Sequence, residues 1–260
     1  MKRFDRLEFD APQERPQPGA GGRVPEELHD EQHWLKQAET ERREGYFENA
    51  LRYYSRALEL NKSLAAGWLG QVQMLIQLGE LKEAELWSRK ALELFRKNSE
   101  LTAGRAQALA RMMQINEAML VLDAAFAQEG QSAYRWMVRG EVMLATGENV
   151  DQHCFSKAVQ LDAHWLVAVE IGQIYLYYRK PSKAIMYFRT AVERAPGEAY
   201  CWYVQGCCEQ ELALSGPAKS SFLHCLDLKP NYSDARRRLI SLDADGWSIG
   251  KLLRRIFRRR

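Results

Sequence analysis

The sequence predicts an all-α fold in which one helix-turn-helix unit is repeated along the chain. A pattern of small, aromatic, small and proline residues returns 34 positions later: Ala184, Phe188, Ala191 and Pro196 recur as Ala218, Phe222, Cys225 and Pro230. Gly172 recurs as Gly206 at the same displacement. Antiparallel helices approach closely only where side chains are small, and an aromatic ring fills the space beside the contact. No stretch shows the alternation of apolar and polar residues that is typical of a strand.

The period and the order of these residues resemble those of the tetratricopeptide repeat, a helix-turn-helix unit of about 34 residues. The resemblance implies a right-handed solenoid. It also implies that the first helix of each unit, here called the A helix, lines a concave groove, and that the second, the B helix, packs behind it. The proline ends the B helix and begins the turn to the next unit.

A leader precedes the array. Residues 1–30 hold four of the eight prolines, a cluster of three glycines and few apolar side chains. Such a segment buries too little surface to offset the entropy of ordering, which predicts disorder over residues 1–30. Phe4, Leu7 and Phe9 nevertheless alternate with charged residues, so the start of the leader can also be a short docking peptide for a partner or for the array itself.

The array is expected over residues 31–230. Trp34 and Trp68 mark the A helices of the first two copies and are separated by one repeat period. The third copy is degenerate, because Met113 replaces its turn glycine. In the fourth, one position is missing between Gly147 and Phe155, which shortens a turn without breaking the stack. The six repeats run approximately over residues 31–64, 65–98, 99–132, 133–164, 165–198 and 199–232.

Four tryptophans occupy one slot of the A helix: Trp34, Trp68, Trp136 and Trp202. Exposed tryptophans can form a stacking platform for nucleotides. A slot shared between copies favours packing between the two helices of a unit instead.

Two segments follow the array. The sequence predicts a capping helix over residues 231–246, with Ser233 or Asp234 as its N-cap and Gly246 at its end. In the tail, residues 247–260, apolar residues fall on one helical stripe: Ile249, Leu252, Leu253, Ile256 and Phe257. The cations occupy the remaining surface: Lys251, Arg254, Arg255, Arg258, Arg259 and Arg260.

The resemblance places a peptide-binding groove on the A helices, and its apolar and aromatic residues cluster in copies four to six. We expect these residues to line the groove: Tyr134, Met137, Val138, Glu141, Val169, Gln173, Tyr177, Tyr200 and Tyr203. Exposure is expected for five of them: Tyr134, Met137, Tyr177, Tyr200 and Tyr203. Tyrosine is favoured at recognition surfaces, and an exposed cluster of this kind calls for a ligand. The occupant can be a partner peptide, the leader, or a second copy of the chain in a homo-oligomer.

Some relatives hold the C-terminal carboxylate of heat-shock chaperones with Lys and Asn in the A helices. Here Leu35 and Glu39 stand at the corresponding slots of the first repeat, and Gln73 at a slot of the second. The chaperone-tail role is therefore not expected. The groove should instead select an extended or helical segment through apolar pockets with polar rims.

The charge of the chain is concentrated at its C-terminal end. The net charge is only +3, while residues 231–260 hold nine Lys and Arg against three Asp. The molecule as a whole is therefore not a nucleic-acid-binding polycation. The basic tail can lie on an anionic membrane surface, contact nucleic-acid phosphates, or pack as the last helix of the array.

No catalytic, metal or cofactor motif accompanies the repeats. The five histidines are scattered, and no Ser or Cys nucleophile or phosphate-binding loop has a recognisable setting. The five cysteines, Cys154, Cys201, Cys207, Cys208 and Cys225, show no CxxC spacing and are interpreted as small buried or half-buried residues.

The sequence therefore predicts a non-catalytic cytoplasmic adaptor or scaffold that binds a peptide of another protein in its groove. No signal peptide or membrane-spanning stretch is expected. The alternative is a peripheral membrane protein that binds through its basic tail, with the array as a spacer.

Overall fold

The structure, a computed structural model, describes residues 29–147 and 150–242 of the 260. Their regular secondary structure is entirely α-helical. The helices are α1 (Glu31–Arg43), α2 (Phe47–Leu60), α3 (Ala65–Gln77), α4 (Leu81–Leu94), α5 (Ser99–Arg111), α6 (Ile115–Phe126), α7 (Ala133–Thr146), α8 (Asp151–Leu161), α9 (Trp165–Tyr177), α10 (Pro181–Arg194), α11 (Ala199–Glu211) and α12 (Ser215–Leu228). A further helix, α13, covers residues 233–242. The basic tail and all but the last two residues of the predicted leader lie outside the described residues.

The helices pair into hairpins, each made of an A helix and the B helix that follows it. The chain divides into two compact units, the first ending at Gln128 and the second beginning at Glu129. In the first unit the hairpins are α1–α2, α3–α4 and α5–α6, and α3 also packs on α5. In the second they are α7–α8, α9–α10 and α11–α12, and α9 packs on both α7 and α11. The predicted all-α fold of helix-turn-helix repeats is confirmed.

The turns inside the hairpins share one residue in the left-handed backbone conformation. Gly45, Gly79 and Gly147 have φ near +80°, the left-handed conformation in which glycine carries no side-chain penalty. At the equivalent position the other three hairpins carry side-chain-bearing residues in the same conformation: Met113 (φ 61°), Arg179 (φ 57°) and Ala213 (φ 59°). The turn in the degenerate third copy is thus kept although its glycine is lost.

Each hairpin of the second unit packs an aromatic ring of its B helix on a glycine of its A helix. A Cβ added at Gly172 would lie 2.5 Å from Cε1 of Phe188, and one at Gly206 would lie 2.7 Å from Cε1 of Phe222. Both rings are fully buried. The missing side chain is what lets the two helices come this close.

The shortened fourth copy keeps this packing. Its B helix, α8, has 11 residues where α10 and α12 have 14. The Phe155 ring still lies against Gly140, where an added Cβ would be 2.5 Å from Cε1. The shortening therefore falls on the first turn of α8 and leaves the hairpin intact.

The shared tryptophan slot faces the B helix of the same hairpin, as expected. Trp68 is buried, its ring centroid lies 5.9 Å from that of Trp87 on α4, and its indole N–H donates to the carbonyl of Lys62 (2.9 Å). Trp202 stacks on His224 of α12 at 4.5 Å. These contacts are packing contacts, and the nucleotide platform finds no support among them.

Helix α13 begins one residue earlier than its predicted cap allows. Ser233 and Asp234 are both already helical, and the residue before the helix is Tyr232, which is buried. Asp234 instead accepts a hydrogen bond from Arg237 on the same helix. The prediction of a Ser233 or Asp234 cap is therefore wrong, because the helix already includes both residues and the carbonyl of Tyr232 accepts its first hydrogen bond, from the Arg236 N–H (3.2 Å).

Candidate peptide-binding face

The nine predicted groove residues all lie on the A helices of the second unit, α7, α9 and α11. We call this set the A-helix face. Helices α9 and α11 are joined across it by a hydrogen bond from the Gln173 side-chain amide to the Tyr200 hydroxyl (2.6 Å). Helix α9 also packs on α7. The predicted groove residues of all three helices therefore belong to the same compact unit.

Five of the nine residues are buried rather than exposed: Met137, Val138, Glu141, Val169 and Tyr200. The expectation of exposure is therefore wrong for Met137 and Tyr200, and Val138, Glu141 and Val169 lie inside the helix packing rather than at the groove surface. The physical reason is the close packing of neighbouring A helices, since the Tyr200 side chain reaches Gln173 on α9 and is only 5% exposed. Burial raises the pKa of Tyr200, so its hydroxyl stays protonated.

The remaining four residues reach the surface. Tyr134, Gln173 and Tyr203 are half-buried, and Tyr177 is 43% exposed, with its ring centroid 5.1 Å from that of Tyr178. Their exposed groups are phenol rings and one amide. The accessible part of the A-helix face is therefore neutral, partly aromatic, and able to exchange hydrogen bonds.

Tyr203 is the centre of an aromatic cluster that includes Tyr232, the residue just before helix α13. Its ring centroid lies 5.0 Å from that of Tyr232, 6.2 Å from Phe222 and 6.3 Å from Tyr200. Burial raises the pKa of Tyr203, and Cys207 beside it adds to the shift. Tyr232 was not predicted from the sequence, where its only signal is an aromatic residue shortly after the repeat-closing Pro230.

Arg238 borders the same cluster. Its guanidinium donates to the side-chain carbonyl of Gln210 on α11 (3.0 Å). This contact ties α13 to the last A helix and brings a cation beside the neutral aromatic surface. Arg238 was not assigned to the site from the sequence, because an arginine among three consecutive arginines carries no distinguishing signal.

A polar cluster around a buried carboxylate links three helices of the same unit. The Asp151 carboxylate, 1% exposed at the start of α8, accepts hydrogen bonds from the Tyr175 hydroxyl (2.7 Å) and the Lys183 ammonium (3.0 Å). Burial by itself raises the pKa of Asp151, but these two hydrogen bonds and the Lys183 charge outweigh it and hold the pKa below its usual value. The cluster joins α8, α9 and α10, and its carboxylate lies in the interior.

The cysteines and histidines are used in packing. As predicted, Cys154, Cys201, Cys208 and Cys225 are buried and Cys207 is half-buried; all five are free thiols. Burial raises the pKa of Cys201, Cys208 and Cys225 to about 12, which keeps these groups as unreactive thiols. Every histidine ring contacts a tryptophan: His29 and His33 contact Trp34, His153 contacts Trp136, His164 contacts Trp165, and His224 contacts Trp202.

Within the described residues, no group of three or more His, Cys, Asp or Glu side chains is arranged to hold a metal ion. In the same ranges, no helix has the length and apolar character needed to cross a bilayer. The cations assigned to the basic tail lie outside the described part of the chain, so their predicted role stays a prediction.

Comparison with known proteins identifies the fold. No family model and no curated protein matches the sequence. A thermophilic tetratricopeptide-repeat protein of Thermus thermophilus has a similar structure, with 19% identity, a TM-score of 0.51, and coverage of 74% of this chain and 99% of that one. This similarity shows that the chain has the tetratricopeptide-repeat fold.

Two further solved structures were found at lower TM-scores. A tetratricopeptide-repeat protein of Parabacteroides merdae is 15% identical over 84% of this chain and 86% of its own, with a TM-score of 0.48. A chain of the APC/C hetero-tetramer Cut9–Hcn1 is 16% identical over 82% of this chain, with a TM-score of 0.48. This chain covers only 43% of that one.

Proposed function

We propose that this chain with the tetratricopeptide-repeat fold is a non-catalytic adaptor or scaffold, and that the A-helix face of its second unit binds a peptide segment of a partner protein. The observation that carries the proposal is the set of tyrosines Tyr134, Tyr177 and Tyr203, which reach the surface on the neighbouring A helices α7, α9 and α11. Tyrosine supplies a large contact area at low cost in side-chain entropy and is enriched at recognition surfaces.

The side chains of the A-helix face indicate which kind of peptide it would bind. The buried residues Met137 and Val169 lie on the same helices and give the accessible tyrosines a fixed apolar support. A ligand would place apolar or aromatic side chains against the phenol rings and pair its backbone or polar groups with Gln173 and the tyrosine hydroxyls. The neutral phenols favour an uncharged centre, and Arg238 at the border favours an acidic residue toward that end.

A non-catalytic role agrees with the chemistry of the described residues. The thiols have raised pKa values, the Asp151 carboxylate is buried in a salt bridge with Lys183, and the histidine rings pack on tryptophans. The free thiols also support a reducing compartment such as the cytoplasm.

The test is selection of peptides from a displayed library by the full-length chain, followed by measurement of the dissociation constant for a selected peptide. Tyr134→Ala combined with Tyr177→Ala should weaken binding by at least about tenfold, because central aromatic residues carry most of the energy of such an interface. Tyr203→Phe keeps the aromatic cluster and should weaken binding only if its hydroxyl contacts the peptide.

The matched control is Met186→Ala on α10. Met186 is 62% exposed in the same unit but lies on a B helix, so its removal should leave peptide affinity unchanged. Helicity should be equal in all variants by circular dichroism. Equal affinity of wild type and the double tyrosine variant would exclude the A-helix face as the site, and loss of binding only on deletion of residues 247–260 would transfer the function to the tail.

A further inference from the structure

Helix α13 occupies the place of a seventh A helix. It begins at residue 233, one repeat period after Ala199, the first residue of α11, and α11 itself begins one repeat period after Trp165, the first residue of α9. Ala235 is fully buried, and Arg238 is hydrogen-bonded to Gln210 of α11. The helix therefore continues the stack of A helices in the second unit.

The position at which an A helix receives its B helix is occupied in α13 by Ile240. Gly172 and Gly206 hold this position in α9 and α11, where the rings of Phe188 and Phe222 lie on them. Ile240, one repeat period after Gly206, is 63% exposed. No B helix follows α13 within the described residues, which end at 242.

The two members of this A–B contact compensate each other in volume along the chain. A glycine faces a phenylalanine in Gly172–Phe188 and again, at the same sequence spacing, in Gly206–Phe222. In the second copy that spacing pairs a large A-helix member, Val72, with a small B-helix member, Ser88, and both are fully buried. The one copy with a large A-helix member thus has no aromatic ring at the paired B-helix position, as close packing favours. Counted from Ile240, the same spacing reaches Ile256.

We propose that the exposed Ile240 face of α13 is the docking site of the chain's own tail, residues 249–257, with Ile256 packed against Ile240. The sequence register supports this occupant, because Leu252 and Ile256 lie one repeat period after Ala218 and Phe222, the residues with which α12 covers α11. The docked segment ends before Arg259. This residue lies one repeat period after Cys225, which is fully buried, and an arginine at that position would have to remain in solvent.

This contact uses the same apolar stripe that insertion into a membrane surface would need. A tail seated on α13 presents Lys251, Arg254 and Arg255 to solvent while its apolar side chains are covered. The proposal does not depend on the peptide-binding function, since it concerns a different face of the second unit.

The test is a double-mutant cycle in the full-length chain, read by amide hydrogen exchange in residues 237–242. Ile240→Ala and Ile256→Ala should each lower protection of these amides by about tenfold, and the double variant should fall no further than either single variant, because the same contact is lost once. Retained protection in Ile256→Ala, or losses that multiply in the double variant, would overturn the proposal.

Two controls keep the result specific. Met186→Ala removes a side chain as exposed as Ile240 from the same unit, and combined with Ile256→Ala it should give independent effects.

Vesicles of phosphatidylcholine and phosphatidylserine serve as the second probe. The full chain should bind them about tenfold more weakly than a synthetic peptide of residues 247–260, because docking covers the stripe that inserts. Equal affinity would show that the stripe is uncovered and would overturn the proposal.

Discussion

Substitution of Gly172 by alanine tests whether close approach of the A and B helices holds the second unit together. The new Cβ would lie 2.5, 2.7 and 2.8 Å from three ring atoms of Phe188, where ordinary contact begins at 3.4 Å. Phe188 is 0% exposed, so its ring has no open space to enter. The two helices must separate, or the ring must leave its preferred rotamer.

The magnitude follows from two opposing effects. Overpacking of this kind costs about 1–3 kcal/mol, and contact with three ring atoms at once places Gly172→Ala near the upper end. Alanine gains about 1 kcal/mol over glycine inside a helix. The net expectation is a loss of about 2 kcal/mol in the free energy of unfolding.

Urea denaturation followed by circular dichroism measures this difference. Gly216→Ala is the matched control, because a Cβ at Gly216 meets no atom within 4 Å and the position is also helical. It should be neutral or stabilising by up to about 1 kcal/mol. Phe188→Leu should partly rescue Gly172→Ala, since the third copy pairs Ala106 with Leu122 in the same register. A Gly172→Ala variant as stable as wild type would refute the packing argument.

Two further predictions concern the turn and the buried carboxylate. Met113→Gly should raise the free energy of unfolding by about 0.5 kcal/mol. Met113 is 66% exposed at φ 61°, so glycine avoids the left-handed penalty of about 1–2 kcal/mol, although it loses more chain entropy on folding. Urea denaturation measures the change, and Gly79→Ala, which should destabilise, serves as the comparison of opposite sign. Asp151→Asn should lower the free energy of unfolding by about 1.5 kcal/mol at pH 7. Since the folded-state pKa of Asp151 lies below its unfolded value of 3.8, its contribution is complete above that pH and is lost as pH falls through the lower folded value. Denaturation at stepped pH should therefore show the wild type losing its advantage over Asp151→Asn only below about pH 4, and an advantage that persists into stronger acid would contradict the assignment.

The repeat was readable from the sequence because its signal is local and recurs. Gly172 and Phe188 are close in the chain, their spacing returns at Gly206 and Phe222, and small and aromatic side chains together fit the contact. The deletion before Phe155 could be located for the same reason. The left-handed turn at Met113 could not be predicted from residue type, since methionine gives no sign of a positive φ.

The candidate site was only partly predictable. Register assigns a residue to the A-helix face, but how much of its side chain reaches water depends on the distance between neighbouring A helices. Tyr200 and Tyr177 are both tyrosines assigned to this face, yet one is 5% exposed and the other 43%. The Asp151–Tyr175–Lys183 cluster joins three helices and has no periodic signal at all.

The sequence by itself determined the all-α repeat, the order of its helices and the residues at which A and B helices meet, because these depend on side-chain size at fixed spacing within one hairpin. Tertiary structure alone decided which tyrosines are buried, which carboxylate is held ionised in the interior, and that Ile240 stands exposed where a B helix would pack. Those properties depend on contacts between hairpins, where a side chain's surroundings come from residues far away in the chain.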